Sequence, residues 1–355
     1  MNIVEKKIKI GIIGVGSISE AHLLAYSKIP DVEIYAFCDI NEKRLKEMGE
    51  RYGVTRLFTD KEDMLALPEV DAVSVCAWNS QHAPCTIAAL KAGKHVMCEK
   101  PMAMNTEEAL EMKKTAEECG KLLMVGFVRR YKESTALVKE FAGNGTLGEI
   151  YYTKATYLRR HGNPGGWFGD KSRSGGGPLI DLGVHVIDMA RYVMGNPMPV
   201  SAYGVTFNKL GNRKDLVDKP PYVSISSTPD DICDVEEFAS AVICFDNGAA
   251  VSVETSFDLN LKEDVGTFEL FGTKGGAKFS PELEIYTDVN GYMADIKLKK
   301  KLDTVSGFTT EFEHFIACIK GEAECESPAE DGVIMMKILD AIYESAKTGE
   351  AVKIK

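Results

Sequence analysis

Short apolar runs alternate with amphipathic stretches over the first third of the chain. Ile8–Ile13 and Val32–Cys38 read as strands, Ser19–Lys28 and the charged Glu42–Tyr52 as helices. Leu57–Thr59, Val70–Cys76, His95–Cys98 and Leu122–Val125 continue the strand pattern. Glu62–Ala66, His82–Ala92 and Thr106–Cys119 continue the helices, with Gly93 and Gly120 as stops. Apolar strands alternating with helices predict a parallel sheet covered on both faces.

The pattern changes after Gly126. A helix over Ser134–Phe141 precedes an alternating strand over Glu149–Leu158, and a Gly-rich loop leads to a helix over Leu179–Met194. Strand-like runs follow at Val200–Phe207, Glu236–Phe245, Ala249–Phe257, Thr267–Phe271 and Glu284–Thr287. Asp246-Asn247-Gly248 is a hairpin signal between two of them. Asn212–Asp231 reads as a long polar excursion, and helices over Thr309–Ile319 and Asp331–Ala346 close the chain. The expected fold is α/β plus α+β. Residues 1–126 form a Rossmann doubly wound parallel sheet, and residues 127–355 a domain with a large, mostly antiparallel sheet and helices. The helix over 331–346 is expected to pack back on the first domain.

A length of 355 residues suits two domains. Lys and Arg number 42 against 53 Asp and Glu, a net charge of −11 that disfavours nucleic acid and anionic membranes as partners. No apolar stretch is long enough to span a bilayer. The nine cysteines form no C-x-x-C pair and the six histidines no H-x-H or H-x-x-x-H pattern. Reduced thiols, a cytoplasmic location and no metal site are therefore expected.

Gly14 and Gly16 follow the first strand and open the first helix, with Ser17, Ile18 and Ser19 behind them. This fits a dinucleotide fingerprint, one glycine for the turn and one for close approach to pyrophosphate, with Ser19 in place of the third glycine. Asp39 ends the second strand where a ribose-binding carboxylate belongs. It favours NAD over NADP, and Arg44 in the next helix leaves NADP possible. The competing reading of Asp39 is a turn residue ahead of Asn41.

Three segments complete the pattern: Asn79-Ser-Gln-His82; Gly93-Lys-His-Val-Met-Cys-Glu99-Lys100-Pro101; and Gly175-Gly-Gly-Pro-Leu-Ile-Asp181-Leu-Gly-Val-His185. Lys100 lies just past a strand's C-terminal end, where open α/β sheets bind ligands, and its ammonium suits a developing alkoxide. Asp181 and His185 stand at i and i+4 of a helix, so a carboxylate can support an imidazole base. Asp188 is a second possible partner for that imidazole.

With the glycine loop, these segments resemble the Gfo/Idh/MocA family of glucose–fructose oxidoreductase, inositol dehydrogenase and rhizopine-catabolism dehydrogenases. The resemblance implies a catalytic group of Lys100, Asp181 and His185. It implies cofactor contacts from Glu99, Lys100, Asn79, His82 and Arg129. Ala77-Trp78 replaces the family's usual Thr-Pro ahead of Asn79, so the contacts of Ala77 and Trp78 stay open. Arg159, His161 and Trp167 are candidate substrate contacts; Trp167 suits stacking on a sugar face or a structural aromatic role equally. Arg159, Arg160, His161 and Arg173 fit a polar loop better than an anion site.

The expected activity is hydride transfer between a secondary hydroxyl of a sugar, sugar derivative or cyclitol and NAD, with His185 as general base. An NAD-dependent glycosidase with transient oxidation and a non-catalytic dinucleotide-binding regulator are the rival readings. Family members pair through the large sheet, which implies a homodimer or homotetramer.

Overall fold

In the computed structural model, which describes residues 7–211, 213, 216–279 and 282–355, the first apolar runs pair side by side. The first unit contains β1 (Ile8–Ile13), α1 (Ser17–Tyr26), β2 (Val32–Cys38), α2 (Glu42–Tyr52), β3 (Arg56–Phe58) and α3 (Lys61–Leu65). Then come β4 (Ala72–Val75), α4 (His82–Lys91), β5 (His95–Glu99), α5 (Thr106–Cys119) and β6 (Leu123–Gly126). Its six strands run parallel in the order β3-β2-β1-β4-β5-β6. The order reverses between β1 and β4, the switch point where such sheets bind ligands.

Ile10, Ile12, Val73, Val75 and Val96 are wholly buried, each contributing about 1.5–3 kcal/mol. Side chains set the helix starts: Asn41, Asp60 and Asn105 accept from Arg44, Glu62 and Glu108 amides.

The second run of elements comprises α6 (Glu133–Gly143), β7 (Ile150–Leu158), α7 (Lys171–Ser174), α8 (Val184–Val193), β8 (Pro199–Phe207), β9 (Phe238–Phe245) and β10 (Ala250–Ser256). Next are β11 (Val265–Gly272), β12 (Gly275–Phe279), β13 (Glu284–Val289), β14 (Tyr292–Ile296), α9 (Gly307–Lys320), α10 (Ala329–Thr348) and β15 (Val352–Lys353). Nine strands form the order β14-β13-β12-β11-β7-β10-β9-β8-β15, antiparallel except for the β7–β10 pair. Gly248, at a φ of 82°, turns β9 into β10 at the expected hairpin. One face of this sheet is buried by Val251, Val253, Ile243, Ala241 and Leu270, and the other exposes Tyr203, Phe207, Val242 and Phe271.

Two expectations change. The helix expected over Leu179–Met194 begins with a wide π turn, Leu179–Gly183, and only then becomes α8. The compact units also do not divide at one boundary. The chain through Val128 groups with Ser306–Val333, and Arg129–Val305 groups with Ile334–Lys355. The cause is the apolar face of α9. Phe312 is wholly buried, its ring 4.5 Å from both His22 and Tyr26 of α1. Ser327 extends the grouping by accepting from the Val125 amide at 2.9 Å. Of the helix expected over 331–346, only the residues through Val333 join that unit. The start of the Asn212–Asp231 excursion (Asn212, Lys214, Asp215) lies outside the described residues. Its later part is tied down: Ser224 donates its amide to the Pro164 carbonyl at 2.8 Å, and Asp231 accepts from the Gly166 amide.

Candidate active site

The glycine loop is built by close approach. Gly14 sits at a φ of 88°, and a Cβ there would stand 2.8 Å from the backbone of Cys76 and Ala77. Only glycine fits such a contact. Gly16 faces open space, and no side chain caps α1 behind it. The amides of Ser17 and Ile18 thus begin a helix whose positive end is available to an anion. Ser19 is buried and donates its hydroxyl to the Gly16 carbonyl at 2.7 Å, filling the third fingerprint position.

Asp39 braces this loop. Its Oδ2 accepts from the Val15 amide and its Oδ1 from the Asn41 amide, both at 2.8 Å. The turn reading is met, and each oxygen keeps a second lone pair with which it can accept a further donor, so the ribose reading is compatible with it. Arg44 donates Nε to the Val15 carbonyl at 2.9 Å and Nη2 to Glu20 at 2.7 Å. The Arg44 bond is the main cause holding the Glu20 carboxyl below its usual range. Glu20 also accepts from Arg51 Nη1 at 2.9 Å, so this carboxylate is shared between two guanidiniums.

Beyond β4, Ala77 and Trp78 are half-buried and Asn79 is buried. His82 is buried, with Nδ1 2.7 Å from the Pro101 carbonyl and Nε2 3.0 Å from the Ala77 carbonyl. Burial lowers its pKa against the pull of those carbonyls. The ring ties the loop after β4 to the turn after β5.

That turn carries Glu99 and Lys100; the Lys100–Pro101 peptide is cis. From Val96 to Ala103, Lys100 is the one residue that is not buried. Glu99 Oε1 receives His22 Nε2 at 2.8 Å, and Oε2 accepts from the Lys100 amide at 3.1 Å. His22 Nδ1 lies 3.3 Å from Cys76 Sγ. Burial pushes the Glu99 carboxyl up, but His22, with help from Lys100 and His82, holds it below the usual range. Burial raises the Cys76 thiol far up. The consistent assignment has the thiol donating to Nδ1 and Nε2–H donating to the carboxylate. Gly126 leaves room for this carboxylate, since a Cβ there would stand 3.3 Å from it.

In the other unit, every residue from Gly176 to Val193 is buried except Asp181 and His185. The two share one half-exposed stripe across the π turn, a local widening common at functional sites. Asp188 is committed to Arg130, whose Nε lies 3.0 and 3.1 Å from its carboxylate oxygens in a buried ion pair. Arg129 and Arg159 lie 5.0 and 5.4 Å from the centre of the Tyr157 ring. Burial pushes the Tyr157 phenol up. Arg159 and Arg129 outweigh that and bring it below its usual value, against the opposing charge of Asp181.

The remaining loop residues have internal partners. His161 Nδ1 is 2.6 Å from the buried Asp258, Arg160 donates to the Lys262 carbonyl at 2.8 Å, and Arg173 pairs with Asp170 at 3.2 Å. Trp167 is half-buried and stacked on Phe168 at 4.0 Å.

Residues 8–127 match the model of the GFO/IDH/MocA oxidoreductases with NAD-binding Rossmann fold, and residues 135–278 match the GFO/IDH/MocA C-terminal domain. The chain belongs to the GFO/IDH/MocA family. It is 37% identical over 350 residues to D-glucoside 3-dehydrogenase of Escherichia coli, covering 98% of this chain and 97% of that one. It is 36% identical over 188 residues to myo-inositol 2-dehydrogenase of Thermotoga maritima, covering 53% and 55% of the two chains. Among solved structures, levoglucosan dehydrogenase in complex with NADH and levoglucosan superposes with a TM-score of 0.85. It is 27% identical and covers 98% of this chain and 100% of that one. This GFO/IDH/MocA protein is thus an oxidoreductase with an NAD-binding Rossmann fold. No helix among its described residues is long and apolar enough to cross a membrane.

Three contributors escape sequence reasoning. His22 meets Glu99, and Cys76 meets His22, only through tertiary packing, and nothing marks their residue types as partners. Tyr157 lies on a strand whose alternation signals a sheet position, and no spacing ties it to Arg129.

Proposed function

We propose that this family member is an NAD-dependent dehydrogenase of a secondary hydroxyl on a sugar, with a glucoside as the first candidate and a cyclitol as the second. The observation that carries the reading is the half-exposed Asp181/His185 stripe in an otherwise buried segment, in a chain 37% identical to a D-glucoside 3-dehydrogenase. Gly14, Gly16, Ser17, Ile18 and Asp39 hold the dinucleotide, with Ala77, Trp78, Asn79, Glu99 and Arg129 as further contacts. The open space at Gly16 and the uncapped start of α1 fit its phosphates. Bound NAD supplies the hydride acceptor.

The imidazole of His185 takes the hydroxyl proton, and Asp181 stabilises the resulting cation. Lys100 polarises the substrate oxygen as negative charge develops. Arg159 and Trp167 border the sugar, and His161, held by Asp258, shapes that loop. The protein works in the cytoplasm, where its nine free thiols stay reduced. A second copy covers the apolar sheet face bearing Tyr203, Phe207, Val242 and Phe271.

The test is a panel of glucosides, free sugars and cyclitols with NAD, read by absorbance of the reduced nicotinamide. Net NADH formation is expected, which a glycosidase cycling its cofactor does not give. His185→Ala should keep NADH binding and lose about 10²–10⁴ in turnover. An inert panel, or a variant as active as the parent, overturns the reading.

A further inference from the structure

The segment bearing Asp181 and His185 begins without a local cap. Pro178 precedes the π turn and no side chain nearby in sequence bonds its amides. The first turn of any helix leaves amides that need partners. Here they come from far away in sequence. Glu236 Oε1 accepts from the Leu179 amide at 3.2 Å and from the Tyr343 hydroxyl at 2.9 Å. Burial leaves the Glu236 carboxyl above its usual range, and burial with the Glu236 carboxyl beside it leaves the Tyr343 phenol well above; the amides of Gly177 and Ile180 oppose those rises only in part. Two glycines make the contact possible. A Cβ on Gly176 would stand 2.0 Å from the Tyr343 oxygen, and one on Gly177 2.0 Å from the Glu236 carbonyl.

We propose that Glu236 and Tyr343 are positioning residues: a long-range cap that fixes the start of the π turn and so sets where Asp181 and His185 project. The inference rests on the dehydrogenase reading for its catalytic consequence, not for its geometry. A buried carboxyl group is tolerated where its oxygens are hydrogen-bonded, and the Leu179 amide and Tyr343 hydroxyl supply those bonds. Asp181 is two residues beyond Leu179, so a shift in that amide reaches the carboxylate that supports the base within one turn and His185 in the turn after it.

Tyr343→Phe removes one hydroxyl and keeps the ring, so it is the variant that tests this. Expected are a fall in kcat of about tenfold, an unchanged Kd for NADH and a melting temperature close to the parent's. Glu236→Gln keeps an oxygen for the Leu179 amide and should retain most of kcat, whereas Glu236→Ala should not. Hydrogen exchange supplies a readout that needs no substrate: in Tyr343→Phe the amides of residues 179–181 should exchange about tenfold faster, with those of residues 186–193 unchanged. Unaltered protection at 179–181 overturns the proposal, as does a lowered melting temperature with kcat intact. If the parent oxidises no sugar but exchange rises as stated, the dehydrogenase reading fails and the cap stands.

Discussion

Glu99→Gln tests the buried chain of groups under the nucleotide loop. In the parent, an ionised carboxylate receives His22 Nε2–H at 2.8 Å and the Lys100 amide at 3.1 Å. Each such charge-assisted bond is worth about 1.5–3 kcal/mol, against about 0.5–1.5 for a neutral one. Glutamine keeps its oxygen on the Lys100 amide and turns its nitrogen to His22, which must then accept at Nε2 and place its proton towards Cys76. Both bonds survive without the charge, so the net loss is about 1–3 kcal/mol. Glu99→Ala leaves two buried donors without an acceptor and should lose about 2–6 kcal/mol.

The two tryptophans, Trp78 and Trp167, fall in different units. In a Trp167→Phe background, thermal melting followed by Trp78 fluorescence therefore reports the first unit alone, at about 2–4 °C per kcal/mol for a unit of this size. The pH dependence has a definite sign. The Glu99 carboxyl is held below its ordinary 4.5, so its stabilisation is complete above that value. It is lost as pH falls through the folded pKa. The gap between parent and Glu99→Gln should be full at neutral pH and close on the acid side of 4.5. If the two proteins melt together at neutral pH, or the gap is indifferent to acid, the carboxylate is not the acceptor described.

Gly14→Ala forces a Cβ into backbone 2.8 Å away at a φ of 88°; NADH binding, followed by nucleotide fluorescence, should weaken at least about tenfold. Arg130→Met strands the buried Asp188 carboxylate and should destabilise its unit by about 3–5 kcal/mol, whereas Arg130→Met/Asp188→Leu should recover most of that in urea melts. Tyr157→Phe should abolish the phenolate that ultraviolet difference titration detects below the ordinary tyrosine range, and Arg159→Gln should move that ionisation back up, since Arg159 is the leading cause of its depression.

The parallel sheet was legible because apolar strands and stop glycines such as Gly120 punctuate the chain at every turn. The candidate residues Gly14, Asp39, Lys100, Asp181 and His185 stand out in the sequence because each occupies a fixed place relative to a strand or helix end. The π turn was not, because one widened turn leaves no mark on apolar spacing over five residues. Nor were β12 and β14 expected: Gly275-Gly276 lacks strand propensity, and Tyr292–Ile296 is largely solvent-exposed on both faces, so no burial pattern is imposed on it. His22 and Glu236 are found only in three dimensions, since their partners lie 77 and 107 positions away along the chain.

Asp39 carries a lesson for anyone wishing to change the coenzyme. Exchanging it for a small neutral side chain, the obvious way to admit an extra phosphate on the adenosine ribose, also strips the Val15 and Asn41 amides of their acceptor. With Asp39 on the adenosine ribose, as proposed above, coenzyme choice and the shape of the pyrophosphate cradle become one trait in this molecule. On that proposal, a redesign that does not supply a new anchor for Val15 should lose the old nucleotide without gaining the new one.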